Sequence, residues 1–525
     1  MAPDPSAEPA AIPASGGTGA GADGRFGLRT KVLGLTILLG AEVLVCAAIQ
    51  APFQRFYRFA FLDSGGELVL QRLIDRGYRP TVDFGHFYGL VPLLISRAWY
   101  GLVGLTPAAF RAETLLCSLA TAWGLARFAA YRGLGPAGVA LIALAVPDLL
   151  LPAQITLVHA LEQAVLVHGL AEHARGRRGR ALACATACCF IKPSMGYVYG
   201  LVLLIAIALA VRRGDRVSWR RVLGPAAATG AVLAAAVASA FGLVPLAVSL
   251  WPAKGAAMYR ASRMGFFHGI GRDFWVLRGA GPIDYFRYET GFWLIGTLVL
   301  AWGGLAALTR LARGSAAGER AWDDEVVATC AALHVAFVTL FFGHRGSWVY
   351  YFAVLVLGLG TMARGGPRPA ALAWILAVLL AVSDRSKLVE VRRQWAADAP
   401  SAATLGLWAT SEERAEWIRV LDLVRGHGPV LLAPCEGAAV LVPGFAPPIG
   451  GYFVPGYAVR PEVRRKAAQL EAAEMIVAAV PPDWHGFADW PALSAALEGC
   501  DLVWRGEHCR VYRRRGGAGG SSSGL

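Results

Sequence analysis

Apolar stretches of about 20 residues recur along most of this chain, and short bursts of arginine separate them. Because a helix of about 20 residues spans the hydrocarbon core of a bilayer, the pattern predicts a polytopic α-helical membrane protein. Charged residues make up only 16% of the sequence, whereas a soluble protein carries about 25%. The same composition, with 56% hydrophobic residues, excludes a disordered chain, a coiled coil, a collagen and a small disulfide scaffold.

The net charge of +14 comes from 50 Lys and Arg against 36 Asp and Glu. In a soluble protein this excess would suggest nucleic-acid binding. Here the arginines lie beside the apolar segments, which is typical of short loops that stay cytoplasmic, and no nucleic-acid-binding motif accompanies them. The charge is therefore interpreted as a topology signal. The bursts lie at 175–180, 212–221, 310–320 and 364–368.

With these bursts inside the cell, the chain is predicted to cross the membrane about 11 times. The first span, 31–51, has no cleavage site followed by a soluble domain, so it is interpreted as retained. The predicted units are a disordered cytoplasmic tail at 1–24, a transmembrane domain at 25–384 with external loops at 52–86 and 245–290, a C-terminal domain at 385–515, and a flexible tail at 516–525.

The apolar segments between the bursts predict how the helices are connected. Residues 87–105 and 108–130 are expected to form a hairpin of two spans. Residues 137–172 are interrupted by two prolines and must cross once in net terms, either as a broken pair of short helices or as one tilted helix. Residues 181–211 lie between two bursts and predict a further hairpin, with its tip near Lys192–Pro193.

An odd number of crossings places the C-terminal domain outside, where its more polar sequence predicts a small α/β fold. Strands are expected at Pro429–Ala433, Met475–Val480, Leu502–Trp504 and Arg510–Tyr512, and helices at Glu412–Val424 and Arg460–Ala472. Cys500 and Cys509 flank a predicted turn at Gly506–Glu507. In an oxidising compartment they either pair or stay free, and the sequence leaves both alternatives open.

Two polar features interrupt the apolar region. His159, Glu162 and Gln163 share one helical face, which is expected to point into the bundle. Lysine occurs only at 31, 192, 254, 387 and 466, and Lys192 lies in an otherwise apolar stretch. An ionisable group at membrane depth is costly, so Lys192 is a candidate functional residue.

Two aspartates bracket a predicted helix after the first span: Asp63 precedes it and Asp83 follows it. The run Glu67–Arg76 places apolar side chains on a polar background, which suits a helix lying in the membrane interface. Fixed carboxylates at a membrane cavity suit a base that takes the proton of a hydroxyl. The alternative is structural, because Ser64-x-x-Glu67 fits a capping box and Asp83 fits a turn.

Three patches of sequence carry a resemblance. They are Asp63 with GYRPTVDFGHFYG at 77–89, Phe190–Pro193, and Gly343–Arg345 followed by Tyr350 and Tyr351. These patches resemble the polytopic glycosyltransferases of the GT-C superfamily, of the bacterial protein mannosyltransferase and lipid A aminoarabinose transferase type. The resemblance implies a sugar donor linked to polyprenyl phosphate and bound from the outer leaflet.

The resemblance also implies residue roles, with Asp63 as catalytic base and Asp83 as a second catalytic carboxylate. The expected ligands of the donor phosphate are Lys192, Arg345, His344, Arg260 and Arg263. The expected cavity residues are Glu67, His86, Tyr88 and Tyr350. The alternative for Arg345 is that it reaches the lipid headgroups, and for the basic 245–290 loop that it is solvated under anionic lipid.

Many relatives carry an Asp-Glu pair after the first span, where this chain has Asp63–Ser64. No cofactor is therefore expected to be required, with a divalent cation at Asp83 and His86 as the alternative.

The predicted function is a membrane glycosyltransferase that moves a hexose or pentose from a polyprenyl-phosphate donor to an acceptor hydroxyl of a protein, lipid or polysaccharide. The expected location is the bacterial inner membrane, with the site and the C-terminal domain extracytoplasmic. Nucleic acid is not an expected partner. The alternatives are a transporter or flippase of a lipid-linked substrate, which the lack of a sequence repeat disfavours, and a non-catalytic envelope assembly protein.

Overall fold

The structure is a computed structural model of the chain. It describes residues 22–51, 54–61, 63–86, 88–153, 156–215, 217–251, 290–315, 318–341, 352–433, 436–450, 459–479 and 491–515. Most of the predicted N-terminal tail, most of the 245–290 loop and the tail from 516 lie outside these ranges.

The predicted fold class is confirmed, because the chain up to residue 397 is almost entirely helical wherever it is described. The helices are α1 (Ala22–Ile49), α2 (Phe56–Phe61), α3 (Asp63–Asp75), α4 (Val91–Val103), α5 (Pro107–Arg132), α6 (Pro136–Ala153), α7 (Leu157–Ala174), α8 (Arg178–Ile191), α9 (Pro193–Arg212), α10 (Trp219–Phe241), α11 (Leu243–Leu250), α12 (Thr290–Ala312), α13 (Gly318–Phe341), α14 (Phe352–Met362) and α15 (Pro367–Ala397).

By length and composition, four of the described helices can cross a membrane: the segments Gly27–Ile49, Pro193–Arg212, Trp219–Phe241 and Phe292–Ala312. Shorter apolar helices accompany them at Val91–Val103, Pro136–Leu150, Phe352–Gly365 and Pro367–Val382. Other bundle helices carry ionisable groups that are paired inside the protein. A bundle can hold such helices because neighbouring helices shield their polar groups from lipid.

One end of the bundle is held together by three consecutive acids at the start of α13. Each of them is paired with arginines from elsewhere in the bundle. The pairs are Asp323 with Arg132 and Arg364, Asp324 with Arg310, and Glu325 with Arg178 and Arg213. This end is called the basic face. All four predicted arginine bursts contribute a residue to it, so the bursts do lie together.

The connection from α4 to α5 differs from the predicted hairpin of two spans. Tyr100 near the end of α4 and Ala109 at the start of α5 lie in one hydrophobic cluster with Trp417 of the C-terminal domain. The far end of α5 reaches the basic face, where Arg132 pairs with Asp323. Helix α4 therefore stays at the end of the bundle that carries the C-terminal domain, called the domain face, and α5 alone runs from one face to the other.

The stretch 137–172 is a broken pair of helices, as in one of the two predicted alternatives, but the structure differs from the single net crossing predicted for it. Helix α6 begins at the basic face, where the Cβ of an alanine at Gly138 would lie 3.2 Å from the Gly360 carbonyl oxygen. Helix α7 ends at the same face, where the Ala174 carbonyl accepts a hydrogen bond from Trp322 Nε1 at 3.0 Å. Both helices therefore cross the bundle. The second crossing in this stretch offsets the predicted crossing that α4 does not make, and the number of membrane crossings stays a prediction.

The C-terminal domain has the predicted α/β fold, with strands at the expected positions. The elements are β1 (Asp398–Pro400), β2 (Trp408–Thr410), α16 (Ser411–Val424), β3 (Val430–Ala433), α17 (Arg460–Ala472), β4 (Met475–Ala479), α18 (Pro491–Glu498), β5 (Cys500–Arg505) and β6 (Cys509–Arg514). The four-stranded sheet has the order β3-β4-β6-β5, with β3 and β4 parallel and the other pairs antiparallel. Helix α15 continues to Ala397, beyond the predicted boundary at 384.

The structure does not pair Cys500 with Cys509, so that alternative is wrong. The two strands do form the predicted hairpin, but Cys500 lies opposite Arg514, at the far end of the ladder from Cys509. Cys500 Sγ bonds to the Ala496 carbonyl at 3.2 Å instead. Both thiols are free. The third cysteine of the domain, Cys435, lies outside the described residues.

Charged and aromatic contacts tie the C-terminal domain to the linker between α1 and α2. Arg55 of this linker pairs with Asp398 and, at 3.0 Å, with Glu413. His508 of the β5–β6 turn stacks on Tyr57, with 4.8 Å between the ring centroids. The linker is therefore fixed on the domain before the chain enters α2.

The His508–Glu416 pair makes the stability of this junction depend on pH. His508 Nδ1 lies 3.1 Å from Glu416 Oε2. That bond, with the charges of Glu416 and Glu413, raises the pKa of His508 above 6.5 against the effect of burial. Burial acts to raise the pKa of Glu416, but its hydrogen bonds from His508 and Cys509 bring it below 4.5.

We expect the stabilisation by this pair to be largest between the two ordinary values, about 4.5 and 6.5. The histidine part is lost as pH rises through its raised pKa, and the glutamate part as pH falls through its lowered pKa. Since the His508 side chain is 30% exposed, the pair is worth at most about 1 kcal/mol. The thermal midpoints of the wild type and His508→Gln should differ most near pH 6 and converge in alkaline solution. A difference that is constant from pH 5.5 to 9 would contradict the assignment.

Candidate active site

Helix α3 presents its apolar side chains to protein rather than to lipid. It is amphipathic as predicted, and Leu68, Leu70, Leu73 and Ile74 are 5% exposed or less. Leu70, Leu73 and Ile74 pack in one cluster with Phe190 of the α8–α9 connection and with neighbouring side chains. This apolar face is covered by protein, and the predicted position of the helix in the membrane interface stays a prediction. The helix is part of the folded core at the domain face, which fixes its direction.

The N-terminal end of α3 is Asp63, whose side chain lies outside the described part of the chain. Ser64 is already inside the helix, so the structure does not have it in the N-cap position of a capping box. A Cβ at Gly65 would lie 1.8 Å from the Phe59 carbonyl and 3.0 Å from the Gly437 Cα. Because Gly65 and Gly437 have no Cβ, α3 and the C-terminal domain can approach each other this closely. This contact fixes the end of the helix next to Asp63.

Asp83 lies in a tight turn after α3. Its Oδ2 accepts hydrogen bonds from the backbone nitrogen of Arg79 at 2.8 Å and from Arg79 Nε at 3.0 Å. Burial acts to raise its pKa, but these bonds and the charges of Arg79 and Arg465 lower the pKa overall. Thr81 inside this turn has a φ of 66°, a strained value for a β-branched residue. The geometry therefore matches the alternative in which Asp83 is a turn residue. The lowered pKa keeps its carboxylate ionised.

The loop that follows Asp83 packs directly on the tip of the α8–α9 hairpin. The Gly89 nitrogen donates to the Ile191 carbonyl at 2.9 Å. A Cβ at Gly89 would lie only 1.9 Å from the Phe190 carbonyl oxygen, so glycine is required for this approach. The contact brings together two segments that are about 100 positions apart in the chain. It is the reason why Lys192, at the predicted tip, lies next to the loop.

Lys192 is buried and paired with a carboxylate of α7. Its Nζ lies 3.5 Å from Glu162 Oε2, and the same oxygen lies 3.5 Å from His159 Nδ1. All three residues are at most 8% exposed. As predicted, His159, Glu162 and Gln163 point into the bundle. The lysine of the apolar hairpin thus contacts an acid, and that acid also contacts an imidazole.

Two predicted cavity residues connect this pair to the loop. The Tyr88 ring lies at 5.7 Å, edge to face, from the His159 ring and at 6.0 Å from the His86 ring. His86 is 4% exposed, and its Nε2 lies 3.2 Å from the Gly89 carbonyl. The structure thus brings buried His86 and Lys192 and half-buried Tyr88 together, linked through His159 and Glu162.

The other predicted site residues are Glu67 and five residues that lie outside the described residues. Glu67 is 5% exposed and lies one turn into α3. The remaining candidates fall outside the ranges that the structure covers: His344, Arg345, Tyr350, Arg260 and Arg263. Within those ranges no group of three His, Cys, Asp or Glu side chains is able to hold a metal ion.

The sequence interpretation missed the pairing of Glu162 with Lys192. Both residues were candidates for interior positions, but they were considered on separate helices and without a common partner. The signal was present, because a lone acid and a lone base in neighbouring apolar helices are stabilised by pairing with each other. A buried ammonium that pairs with a carboxylate can also donate a hydrogen bond to a phosphate oxygen, since it has three donor hydrogens.

No protein-family model and no curated protein matches the chain. Among solved structures it is similar to the crystal structure of ArnT from Cupriavidus metallidurans bound to undecaprenyl phosphate, with a TM-score of 0.45 and 14% identity, covering 91% of this chain and 98% of that chain. It is also similar to the arabinofuranosyltransferase AftD from Mycobacteria, with a TM-score of 0.40 and 14% identity. That alignment covers 91% of this chain but only 41% of AftD.

Proposed function

We propose that this protein is a GT-C-like membrane glycosyltransferase that moves a sugar from a polyprenyl-phosphate donor to an acceptor hydroxyl at the domain face. The observation that carries the proposal is the buried Lys192 beside the loop of His86 and Tyr88, next to the helix that begins at Asp63. A cation, aromatic groups and a carboxylate at one end of a membrane bundle suit a lipid-linked phosphate and a sugar. The resemblance of these three segments to the GT-C superfamily supports it further.

In the proposed reaction the acceptor oxygen attacks the anomeric carbon of the donor sugar. The new carbon–oxygen bond forms while the bond from that carbon to the phosphate oxygen breaks. The acceptor proton goes to the Asp63 carboxylate, and the polyprenyl phosphate leaves with the electron pair. Charge grows on the leaving phosphate, and fixed cations in a site shielded from water stabilise it most strongly.

Lys192 is proposed to meet this charge from the protein interior. Glu162, which also contacts His159, holds the ammonium in place before the donor binds, so the lysine does not have to be ordered during the reaction. The further cations of the proposed phosphate site are Arg345, His344, Arg260 and Arg263. They follow from the resemblance alone.

Asp83 and the aromatic residues are proposed to line the sugar side. Asp83 is kept ionised by Arg79 and supplies a fixed acceptor for a sugar or acceptor hydroxyl. His86, Tyr88, Glu67 and Tyr350 are proposed to complete the cavity wall. The arginines of the basic face support a cytoplasmic position for that face. The site and the C-terminal domain are therefore proposed to be extracytoplasmic in a bacterial inner membrane.

Replacing Lys192 by Met is expected to lower the rate of sugar transfer about 10- to 100-fold, the effect of losing one charge-assisted hydrogen bond. The measurement is transfer from polyprenyl-phosphate-linked sugars by the purified protein, followed by mass spectrometry of the product. Lys31→Met removes an exposed lysine from α1 and serves as the matched control.

The double variant Lys192→Met with Glu162→Gln separates a phosphate contact from a purely structural ion pair. It removes the carboxylate that Lys192→Met leaves without its ammonium, so the folded protein should be recovered while transfer stays low. Recovery of transfer as well would contradict the phosphate role. Movement of the donor across a vesicle bilayer without any transfer would favour a transporter or flippase.

A further inference from the structure

Helix α17 of the C-terminal domain lies against the loop that carries Asp83 and His86. Its Glu462 side chain is fully buried. Glu462 Oε2 accepts a hydrogen bond from the Gly85 nitrogen at 2.6 Å and one from the Val459 nitrogen at 3.2 Å. One carboxylate thus holds the first turn of its own helix and also Gly85, the residue next to His86. Gly85 and Glu462 are 377 positions apart in the chain.

A second residue of α17 holds the same loop. The Arg465 guanidinium donates to the Asp83 carbonyl and, at 3.3 Å, to the Ile449 carbonyl. It also lies 4.5 Å above the centroid of the Tyr78 ring. These contacts secure the turn in which Thr81 adopts its strained backbone conformation. Such strain persists only where the surrounding structure imposes it, and here the C-terminal domain does so.

The charges around Glu462 come from every element packed on it. Lys466 Nζ lies 3.9 Å from Glu462 Oε1, and the Lys466 side chain is fully buried. Burial raises the pKa of Glu436 to about 8, with Lys466, Arg76 and a hydrogen bond from Ile449 acting in the opposite direction. Arg76 also donates to the Pro448 carbonyl at 3.1 Å. Acids and bases of the C-terminal domain are thus buried together with Arg76, which follows α3.

We propose that Glu462 is a positioning residue for the transfer reaction, and that the C-terminal domain holds the loop of Asp83 and His86 in its reactive geometry. The inference rests on the proposed function for its kinetic consequence. A carboxylate is a stronger hydrogen-bond acceptor than a neutral group, so it fixes the Gly85 amide firmly. Small displacements of groups that orient a substrate have large effects on rate. The domain is thus a structural part of the site.

The test uses the full-length protein in detergent or nanodiscs, with Glu462→Ala and Glu462→Gln. The matched control is Glu471→Ala, on the same helix but exposed. Hydrogen–deuterium exchange is followed in peptides covering 78–90 and, as a reference for folding, in β4. In Glu462→Ala the exchange of 78–90 should rise at least tenfold while β4 stays protected. Glu462→Gln retains an acceptor oxygen for Gly85 and should restore most of the protection.

Kinetics supply the second readout. Glu462→Ala should lower kcat for sugar transfer about tenfold or more, with a smaller change in KM for the polyprenyl-phosphate donor, because the loop is displaced rather than lost. Glu462→Gln should recover most of kcat, and Glu471→Ala should match the wild type. Unchanged exchange of 78–90 in Glu462→Ala would overturn the proposal. If Glu462→Ala fails to fold, the partly buried Arg465 is replaced by Ala instead, which removes its bond to the Asp83 carbonyl. Wild-type kcat together with wild-type exchange of 78–90 in Arg465→Ala would then overturn the proposal.

The exchange experiment does not depend on any enzymatic activity, so failure of the proposed function is recognised separately. A wild-type protein without transfer activity, whose 78–90 segment is nevertheless released by Glu462→Ala, would contradict the glycosyltransferase and keep the positioning contact. If the wild type is active but Glu462→Ala leaves the exchange of 78–90 unchanged, the positioning contact is contradicted and the glycosyltransferase proposal is kept.

Discussion

The variant Asp63→Asn should transfer sugar about 10²- to 10⁴-fold more slowly than the wild type, the range for loss of a general base. Asparagine has nearly the same shape as aspartate but takes up no proton at neutral pH. Asp63 is the first residue of α3. At that end of a helix the free backbone N–H groups and the helix dipole favour an ionised carboxylate. The helix itself is fixed in the core at the domain face.

The measurement is single-turnover transfer from a polyprenyl-phosphate sugar, with binding of undecaprenyl phosphate measured in parallel. Binding should be close to that of the wild type, since the base acts on the acceptor. Asp75→Asn, at the exposed opposite end of α3, should be fully active. If Asp63→Asn retained the wild-type rate, Asp63 would not be the base, and a transporter or an assembly protein would have to be considered again.

The second large effect concerns stability. Glu325→Ala should lower the free energy of unfolding by about 3–5 kcal/mol, the cost of removing one partner from a buried ion pair. The Glu325 side chain is 3% exposed and pairs with Arg178 and Arg213, which are themselves only 12% and 22% exposed. Without it two arginines of different helices repel each other at the basic face.

The measurement is thermal or denaturant unfolding of the purified protein in detergent. The matched control is Glu319→Ala on the same helix. Its side chain is 90% exposed and lies 3.5 Å from Arg364, so the loss should be below about 1 kcal/mol. Equal effects of the two variants would show that the buried acids do not hold this face together.

Most helices could be predicted from the sequence, because long apolar runs between arginine bursts have few other interpretations. The error at α4 has a physical reason. Its 13 residues are as apolar as a span, and hydropathy does not reveal whether lipid or protein covers a helix of this length. The covering of α3 by protein was missed for the same reason. Its leucines indicate that an apolar surface covers them, but they do not show whether that surface is lipid or protein.

The site could be predicted in part. Lys192 stood out because it is an isolated charge in an apolar stretch, and the structure places it beside predicted His86 and Tyr88. Its partner Glu162 was recognisable as an interior residue only. The contacts of Glu462 could not be predicted, because no local pattern links two residues that far apart in the chain. Such contacts depend on how the domain docks.

The three acids of α13 have a consequence for biosynthesis. Arg132, Arg178 and Arg213 leave the ribosome well before Asp323 and Glu325, so no acid of α13 neutralises them while the early helices insert. On the proposed topology, their positive charges keep their loops in the cytoplasm during that period. When α13 arrives, the same charges become partners that join the early and late halves of the bundle. One set of arginines thus first orients the nascent chain and then locks the finished fold.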